Sequence, residues 1–174
     1  VGQQDLQAGH RVRSRLIQER TAKANQLRGL VYEYGLVAPR ELCARELDRE
    51  IAAIAREHEP VSRLQQVTGI GPLTASALYA LVGDGRYYRS GRELAVALGL
   101  TPRQHSSGGK ERLLGISKRG DRYIRSLLIH GARSALRTAP GKADRLSRWA
   151  VALAGRSHPN VATVALANKL ARIA

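Results

Sequence analysis

The sequence has no Phe, no Met, one Trp and one Cys among its 174 residues. A core with few aromatic residues is built from Leu, Ala, Val and Ile, which favours packed helices over a sheet sandwich. The single cysteine, Cys43, has no partner for an internal disulfide, no signal peptide is visible, and no apolar run approaches the ~18 residues of a membrane-spanning helix. We therefore expect a cytoplasmic protein with no membrane partner. Because even position 1 is Val rather than Met, we expect it to be part of a longer protein.

Acidic residues are also scarce relative to basic ones. The chain carries 29 Lys and Arg against 14 Asp and Glu, a formal net charge of +15, with an isoelectric point of about 11.1. Such an excess destabilises a compact chain unless a polyanion is nearby. Nucleic acid is the leading candidate partner, because neutralising its phosphates drives affinity, and an anionic membrane surface is the weaker alternative.

The metal-ligating residue types do not form a pattern. The carboxylates of the C-terminal part stand far apart at Asp84, Glu93, Asp121 and Asp144, unlike a magnesium site. The histidines and the lone cysteine likewise lack zinc-ligand spacing. We therefore expect no metal and no other cofactor within this chain.

Two basic helices are predicted at the start of the chain. The first runs from Arg11 to Tyr34, and its apolar residues fall close to heptad spacing at Leu16, Leu27, Val31 and Tyr34. The second runs from Arg40 to His58. Residues 1–58 are thus predicted to form a helical hairpin or coiled-coil segment. Two alternatives stay open: these helices pair with another subunit, or they pack on the surface of the domain that follows.

The residues His58, Glu59 and Pro60 mark a boundary, and residues 61–174 are predicted to form a compact helical domain. Helices are predicted over residues 61–67, 73–82, 92–98, 121–138, 145–154 and 161–174. Asp121 is a candidate N-cap. No alternating pattern of useful length predicts a strand. The expected fold class is all-α: a helical hairpin or coiled-coil segment, then a compact helical domain.

The residues from Val67 to Ala75 have the shape of a helix-hairpin-helix turn. Gly69 and Gly71 would let a phosphate approach the backbone, and the following helix would present free N–H groups and its positive dipole end. The alternative is a plain turn between two helices.

The stretch from Gly99 to Leu128 is rich in glycine, serine and cations. A hydroxyl nucleophile, Ser106 or Ser107, lies next to two glycines, and a serine can attack a phosphodiester to form a covalent phosphoserine. Nearby cations would stabilise the transition state, and His105 is a candidate for proton transfer. The alternative is a flexible Ser-Gly-Gly linker. Arg122, Arg125, His130 and Arg133 fall near one helical face, which indicates either contact with a phosphate backbone or a solvated basic face.

Three blocks of the chain resemble the C-terminal transposase domain of the insertion-sequence-110 family, whose members are DNA recombinases guided by a bridge RNA. They are GIGPLTASAL (69–78), the block from Gly91 to Leu136 that contains HSSGGKERLLGISKRGDRYIR, and NVATVALANKLARIA (160–174). RLIQERTAKANQLRGLVYEYGLV (15–37) resembles the segment that enters the family's coiled coil. The stretch between Val37 and Glu46 looks shorter than in the family.

The resemblance implies a two-part enzyme. A RuvC-like domain, absent from this sequence, would bind Mg²⁺ through its carboxylates, and the C-terminal domain would supply the serine. The nucleophile maps onto Ser107, with Ser106 as the less favoured neighbour. The partners implied are DNA, a guide RNA and further copies of the chain, in a dimer or tetramer associated with the bacterial nucleoid. The residues expected to contact nucleic acid, from the motifs and the resemblance together, are Gly69, Gly71, Thr74, Arg103, His105, Lys110, Arg112, Lys118, Arg119, Arg122 and Arg125.

Three functions therefore compete at the level of sequence. The leading one is a fragment of a transposase or site-specific recombinase that supplies a serine for phosphodiester cleavage and strand exchange. The others are a non-catalytic helix-hairpin-helix module that only binds nucleic acid, and a decayed transposase remnant.

Overall fold

The structure is a computed structural model that describes residues 2–33, 44–105 and 112–174. In these ranges the fold consists of helices and one small antiparallel sheet of two strands. The elements in chain order are α1 Gln3–Glu33, α2 Ala44–Glu57, α3 Glu59–Gln65, α4 Pro72–Val82, α5 Gly91–Ala97, β1 Pro102–Gln104, β2 Leu113–Ile116, α6 Arg122–Thr138, α7 Arg145–Arg156 and α8 Pro159–Ile173. The all-α class is confirmed. The predicted absence of strands was wrong, because strands of three and four residues are too short to show alternation.

The core is centred on α6, which packs against α4 and α8, and it consists mainly of leucine and alanine. Leu78, Leu128, Leu166 and Leu170 are almost completely buried. Alanines fill the closest contacts, and Ala132 and Ala167 are fully buried. Small side chains let the helix axes approach, so an alanine-rich core can be dense without any Phe or Met.

Side-chain caps set where the later helices begin. The carboxylate of Asp121 accepts a hydrogen bond from the amide of Ile124 at 2.8 Å, and that of Asp144 accepts one from Ser147 at 2.9 Å. Each satisfies one of the N–H groups that a helix start leaves unpaired. The predicted cap at Asp121 is therefore confirmed.

Helix α1 begins at Gln3, well before the predicted start at Arg11. Leu6, His10 and Arg13 form its buried face, and α1 and α2 both pack against α4. Leu16, predicted for the heptad seam, is 45% exposed. In the described residues, the N-terminal half of α1 thus packs on the domain surface, as one of the two alternatives proposed. The side chains at Leu27 and beyond in α1 lie outside the described set, so the coiled coil stays a prediction.

A chain of hydrogen bonds fixes α1 to three other helices. The Ser76 hydroxyl donates to a carbonyl of its own helix at 2.8 Å, so it accepts from Nε2 of His10 at 3.1 Å. The free Nδ1 then accepts from the Tyr123 hydroxyl at 3.4 Å. Arg13 donates to that hydroxyl at 3.3 Å and to Asp48 at 2.7 Å. Burial, and then the nearby charge of Arg13, lower the pKa of His10.

No helix in the described ranges is both long enough and apolar enough to cross a membrane.

Candidate nucleic-acid interface

The two strands form a basic hairpin, defined here as residues 101–105 and 112–120. Pro102 pairs with Ile116 and Gln104 with Leu113, with an irregularity in the register between them. Beyond the last pair, the amide of His105 donates to the carbonyl of Arg112 at 2.9 Å. The described part of the hairpin therefore ends at residue 105 and resumes at 112. Both candidate nucleophiles, Ser106 and Ser107, and the predicted contact Lys110 lie outside the described residues.

The basic hairpin and the start of α6 carry exposed cations. Of the predicted contacts, the exposed side chains are Arg103, His105, Arg112, Lys118, Arg119 and Arg122. Within the described ranges, Arg103, Lys118, Arg119 and Arg122 form no ion pair with a carboxylate. Like charges gathered without internal compensation raise the local positive potential, which attracts a polyanion.

Close backbone packing anchors the base of the basic hairpin to the end of α5. The Lys118 amide donates to the carbonyl of Gly99 at 3.1 Å, and the Ser117 amide donates to Thr101 at 2.9 Å. Gly120 has φ of +86°, and a Cβ there would overlap the carbonyl oxygen of Ala97. Only glycine fits this approach. The sheet is small, but its position relative to α5 and α6 is well defined.

Arg125 does not lie with the exposed cations. It is 8% exposed, and its Nη1 lies 3.0 Å from the carbonyl oxygen of Leu98 and 3.2 Å from that of Arg119. Leu98 caps the C-terminus of α5, where a positive charge is favourable. This guanidinium therefore holds the hairpin base to α5 and α6. We remove Arg125 from the candidate interface, because a phosphate cannot reach it without opening the packing.

In the predicted helix-hairpin-helix turn, some residues pack against the core and others are exposed. Gly69 has φ of +99°, and a Cβ there would meet Leu170, Ala135 and the carbonyl of Gly131 at 3.0 to 3.2 Å. Thr74 is buried. Gly71 is exposed and has open space at its Cβ position. The geometry at Gly69 and Thr74 thus favours the plain-turn alternative, with the turn packed on the inner side of α6 and α8.

The exposed face of α6 forms a polar stripe, the α6 stripe. Its members are all exposed and follow a spacing of four, four, three and four residues: Arg122, Ser126, His130, Arg133 and Arg137. At about 1.5 Å per residue the stripe is about 22 Å long, and α6 contains no carboxylate. Sequence reasoning missed Arg137 and wrongly grouped Arg125 with this face. The helical spacing alone was enough to find Arg137.

The predicted turn, the basic hairpin and α6 lie in a part of the chain that matches a known protein family. The family described as Transposase IS116/IS110/IS902 matches residues 61–147, which include the predicted turn, the basic hairpin and α6. The chain belongs to this family of transposases.

Relatives extend the similarity over nearly the whole chain. A probable family 20 transposase of Pseudomonas aeruginosa is 44% identical over 98% of this chain and 62% of its own length. The transposase for insertion sequence element IS1111A of Coxiella burnetii is 42% identical over 99% of this chain and 58% of its own length. The transposase for IS1328 of Yersinia enterocolitica is 37% identical over 99% of this chain and 62% of its own length. The chain thus spans about 60% of the length of these relatives. The first alignment runs over 210 positions, more than the 174 residues here, so that relative carries segments that this chain lacks.

Proposed function

We propose that this chain is the C-terminal part of a DNA transposase that cleaves and rejoins strands through a serine. The observation that carries the proposal is the set of exposed cations at the two ends of residues 106–111, the stretch that contains Ser106 and Ser107. Membership of a transposase family supports phosphodiester chemistry at such a site.

The proposed step is a transesterification. The Oγ of Ser107, with Ser106 as the alternative, forms a bond to phosphorus as the bond from phosphorus to a sugar oxygen breaks. The serine proton passes to a base, for which His105 is our candidate, and the leaving sugar oxygen takes up a proton. In rejoining, a sugar hydroxyl attacks the phosphoserine and releases the serine. The energy of the broken bond is conserved because the number of phosphodiester bonds does not change.

The cations supply binding and transition-state stabilisation in this proposal. Arg103 and Arg112 lie on either side of the serine segment, where negative charge develops on the phosphoryl oxygens, and Lys118 and Arg119 extend the positive surface to the base of the basic hairpin. The α6 stripe continues the positive surface and contacts the phosphate backbone without reading sequence. A guide RNA would supply the sequence recognition by base pairing.

The proposal assigns no Mg²⁺ ligand to the residues of this chain. Among the described residues, no three His, Cys, Asp or Glu side chains gather into a group that could hold a metal ion. The carboxylates that the resemblance implies would belong to a RuvC-like domain outside this sequence, brought by the same or another subunit.

Trapping a covalent protein–DNA adduct tests the proposal. The chain, and a chimera that adds the N-terminal part of the Pseudomonas aeruginosa relative, are each incubated with a nicked suicide substrate, Mg²⁺ and guide RNA. We expect the chimera to form a denaturation-resistant adduct that maps by mass spectrometry to Ser107. The adduct should disappear in Ser107→Ala and persist in Ser134→Ala, a matched change of an exposed serine of α6 that lies outside the α6 stripe. An adduct that survives both Ser107→Ala and Ser106→Ala would overturn the assignment.

A second candidate is a nucleic-acid-binding module without chemistry of its own. The share of the relatives' length that the chain spans, about 60%, favours it for the chain taken alone. This candidate predicts binding that weakens steeply with salt, and no adduct even in the chimera. A decayed remnant would show weak binding that does not respond to salt.

A further inference from the structure

A groove of about 970 Å³ lies between the basic hairpin and α8, with Trp149 of α7 at one side. Its walls are apolar and open to solvent: Leu113 is 64% exposed, Leu114 41% and Val161 58%. Large apolar side chains grouped in one exposed concavity usually mark a binding site. The function proposed above does not use this groove.

The polar groups of the groove are those that nucleotides attract. Lys118, Lys169 and Arg172 line it, and none of the described residues that line it is a carboxylate. Asn168 donates through Nδ2 to the carbonyl of Leu100 at 3.1 Å, which fixes the amide and leaves Oδ1 as an acceptor. Asn160 adds a second, exposed amide at the mouth. Amides of this kind can pair with the edge of a base.

A lysine covers the aromatic side chain of the groove. The Nζ of Lys169 lies 4.1 Å from the ring centroid of Trp149, a cation–π contact. A phosphate that draws Lys169 away would open the indole face for stacking. Stacking of a base on an aromatic ring, beside cations that follow the backbone, is how many proteins hold single strands.

We propose that this groove binds unpaired nucleobases of a single-stranded DNA segment, with Lys118, Lys169 and Arg172 on its phosphates. The inference rests on the proposed function and deepens it. Leu113 and Leu114 of β2 come soon after residues 106–111 in the sequence, so the strand that continues from the serine segment forms part of the groove wall. Bases stacked and paired within a duplex cannot enter the groove, so it selects a strand that is already opened.

Trp149 is the only tryptophan in the chain, and its fluorescence therefore reports on the groove alone. The test titrates the chain with a short fluorophore-labelled single-stranded DNA and with the same sequence as a duplex. Occupancy is measured in parallel by fluorescence anisotropy. At equal occupancy we expect strong quenching of Trp149 by the single strand and little by the duplex.

Two groove variants make the test specific. Val164→Asp places a carboxylate among the apolar walls, and Leu114→Ser removes an exposed apolar side chain. Each should weaken single-strand affinity about tenfold, the effect expected when one base no longer stacks on its apolar support, and leave duplex affinity unchanged. Val151→Asp is the matched control, because Val151 is an exposed valine of α7 that does not line the groove. Circular dichroism confirms that each variant folds.

The outcomes separate this inference from the proposed function. Single-strand binding that leaves Trp149 fluorescence unchanged, or equal quenching by the duplex, overturns the groove proposal. So does a variant that loses only self-association in analytical ultracentrifugation, because the groove would then be an interface between copies of the chain. If the Ser107 adduct still forms in any of these cases, the proposed function stands and only the groove assignment falls.

Discussion

At the scale of single residues, arginines with similar sequence contexts have opposite roles. Arg122 and Arg125 lie about one helical turn apart in a run of cations, yet the first is exposed and the second is buried against backbone carbonyls. The difference arises because α5 ends beside α6 and offers the Leu98 carbonyl as an acceptor, 27 residues away in the chain. Local spacing carries no signal for such a partner.

Replacing Arg125 tests this structural role. We expect Arg125→Leu to lower the free energy of unfolding by about 2 to 3 kcal/mol, because buried carbonyls lose a charged donor. Arg122→Ala, at an exposed position, should change it by less than about 0.5 kcal/mol. Chemical denaturation followed by circular dichroism measures both. Equal stability of the two variants would contradict the role given to Arg125.

We expect His10 to make the free energy of unfolding depend on pH. Burial and Arg13 lower its pKa in the folded chain below the ordinary value of 6.5, so the unfolded chain binds the proton more readily. The stability linked to neutral His10 is complete above pH 6.5 and is lost as the pH falls toward the folded pKa. We expect denaturant midpoints to fall between about pH 7.5 and about pH 5 in the wild-type chain. His10→Gln should flatten this dependence, whereas His105→Gln, at an exposed site, should preserve it.

At the scale of elements, α6 faces the domain core on one side and solvent on the other. Ile124, Leu128, Ala132 and Ala135 are buried against the neighbouring helices. The α6 stripe occupies the opposite side, and α6 itself contains no carboxylate to offset its arginines. A helix whose inner face fixes its position can present an outer row of cations in a constant geometry, which suits contact with a phosphate backbone.

Two arginines of the α6 stripe give a test of this surface. The double change of Arg133→Ala and Arg137→Ala should weaken DNA binding by a similar factor for unrelated sequences. The slope of log affinity against log salt should become shallower by about 2, because two phosphates would no longer be neutralised by these side chains. Arg86→Ala is the control, because Arg86 is exposed but already paired with Asp84 at 3.1 Å. A change confined to one DNA sequence would contradict backbone contact.

At the scale of the whole molecule, a net charge of +15 on 174 residues opposes compaction. Arg13 with Asp48, Arg15 with Glu19 and Arg86 with Asp84 are ion pairs in the described ranges. Several of the remaining cations are exposed on the basic hairpin and the α6 stripe. The folded chain should therefore be stabilised by anything that neutralises this surface without binding the unfolded state as strongly.

Thermal unfolding checks this expectation. A short DNA added at about 100 times its dissociation constant should stabilise the chain by about 2.7 kcal/mol and raise its melting temperature. Sodium chloride alone should raise the melting temperature at low ionic strength, because it screens repulsion. Sucrose at matched osmolarity serves as a non-ionic control. A melting temperature that falls with DNA would mean that DNA binds the unfolded chain more tightly.

Much of the fold followed from local sequence patterns. Helix positions depend on 3.6-residue periodicity and on caps such as Asp121, both of which act over a few residues. The basic hairpin was not predicted, because its strands are too short to show an alternating pattern. Packing of Gly120 and Lys118 against the end of α5 stabilises it. The start of α1 at Gln3 was also not predicted from the sequence. Two of its buried residues, His10 and Arg13, are polar, and polar residues are normally expected at the surface. Their burial depends on hydrogen bonds with distant partners such as Tyr123.

The sequence by itself determined the helical class, the charge and the family, because composition, periodicity and long matching blocks are properties of the chain in order. Only the tertiary structure decided which cations face solvent, which glycines pack, and that an apolar groove lies beside the basic hairpin. These depend on contacts between residues far apart in the chain, such as Arg125 with Leu98 and Asn168 with Leu100. Burial of a polar group is favourable only where a specific distant partner completes its hydrogen bonds.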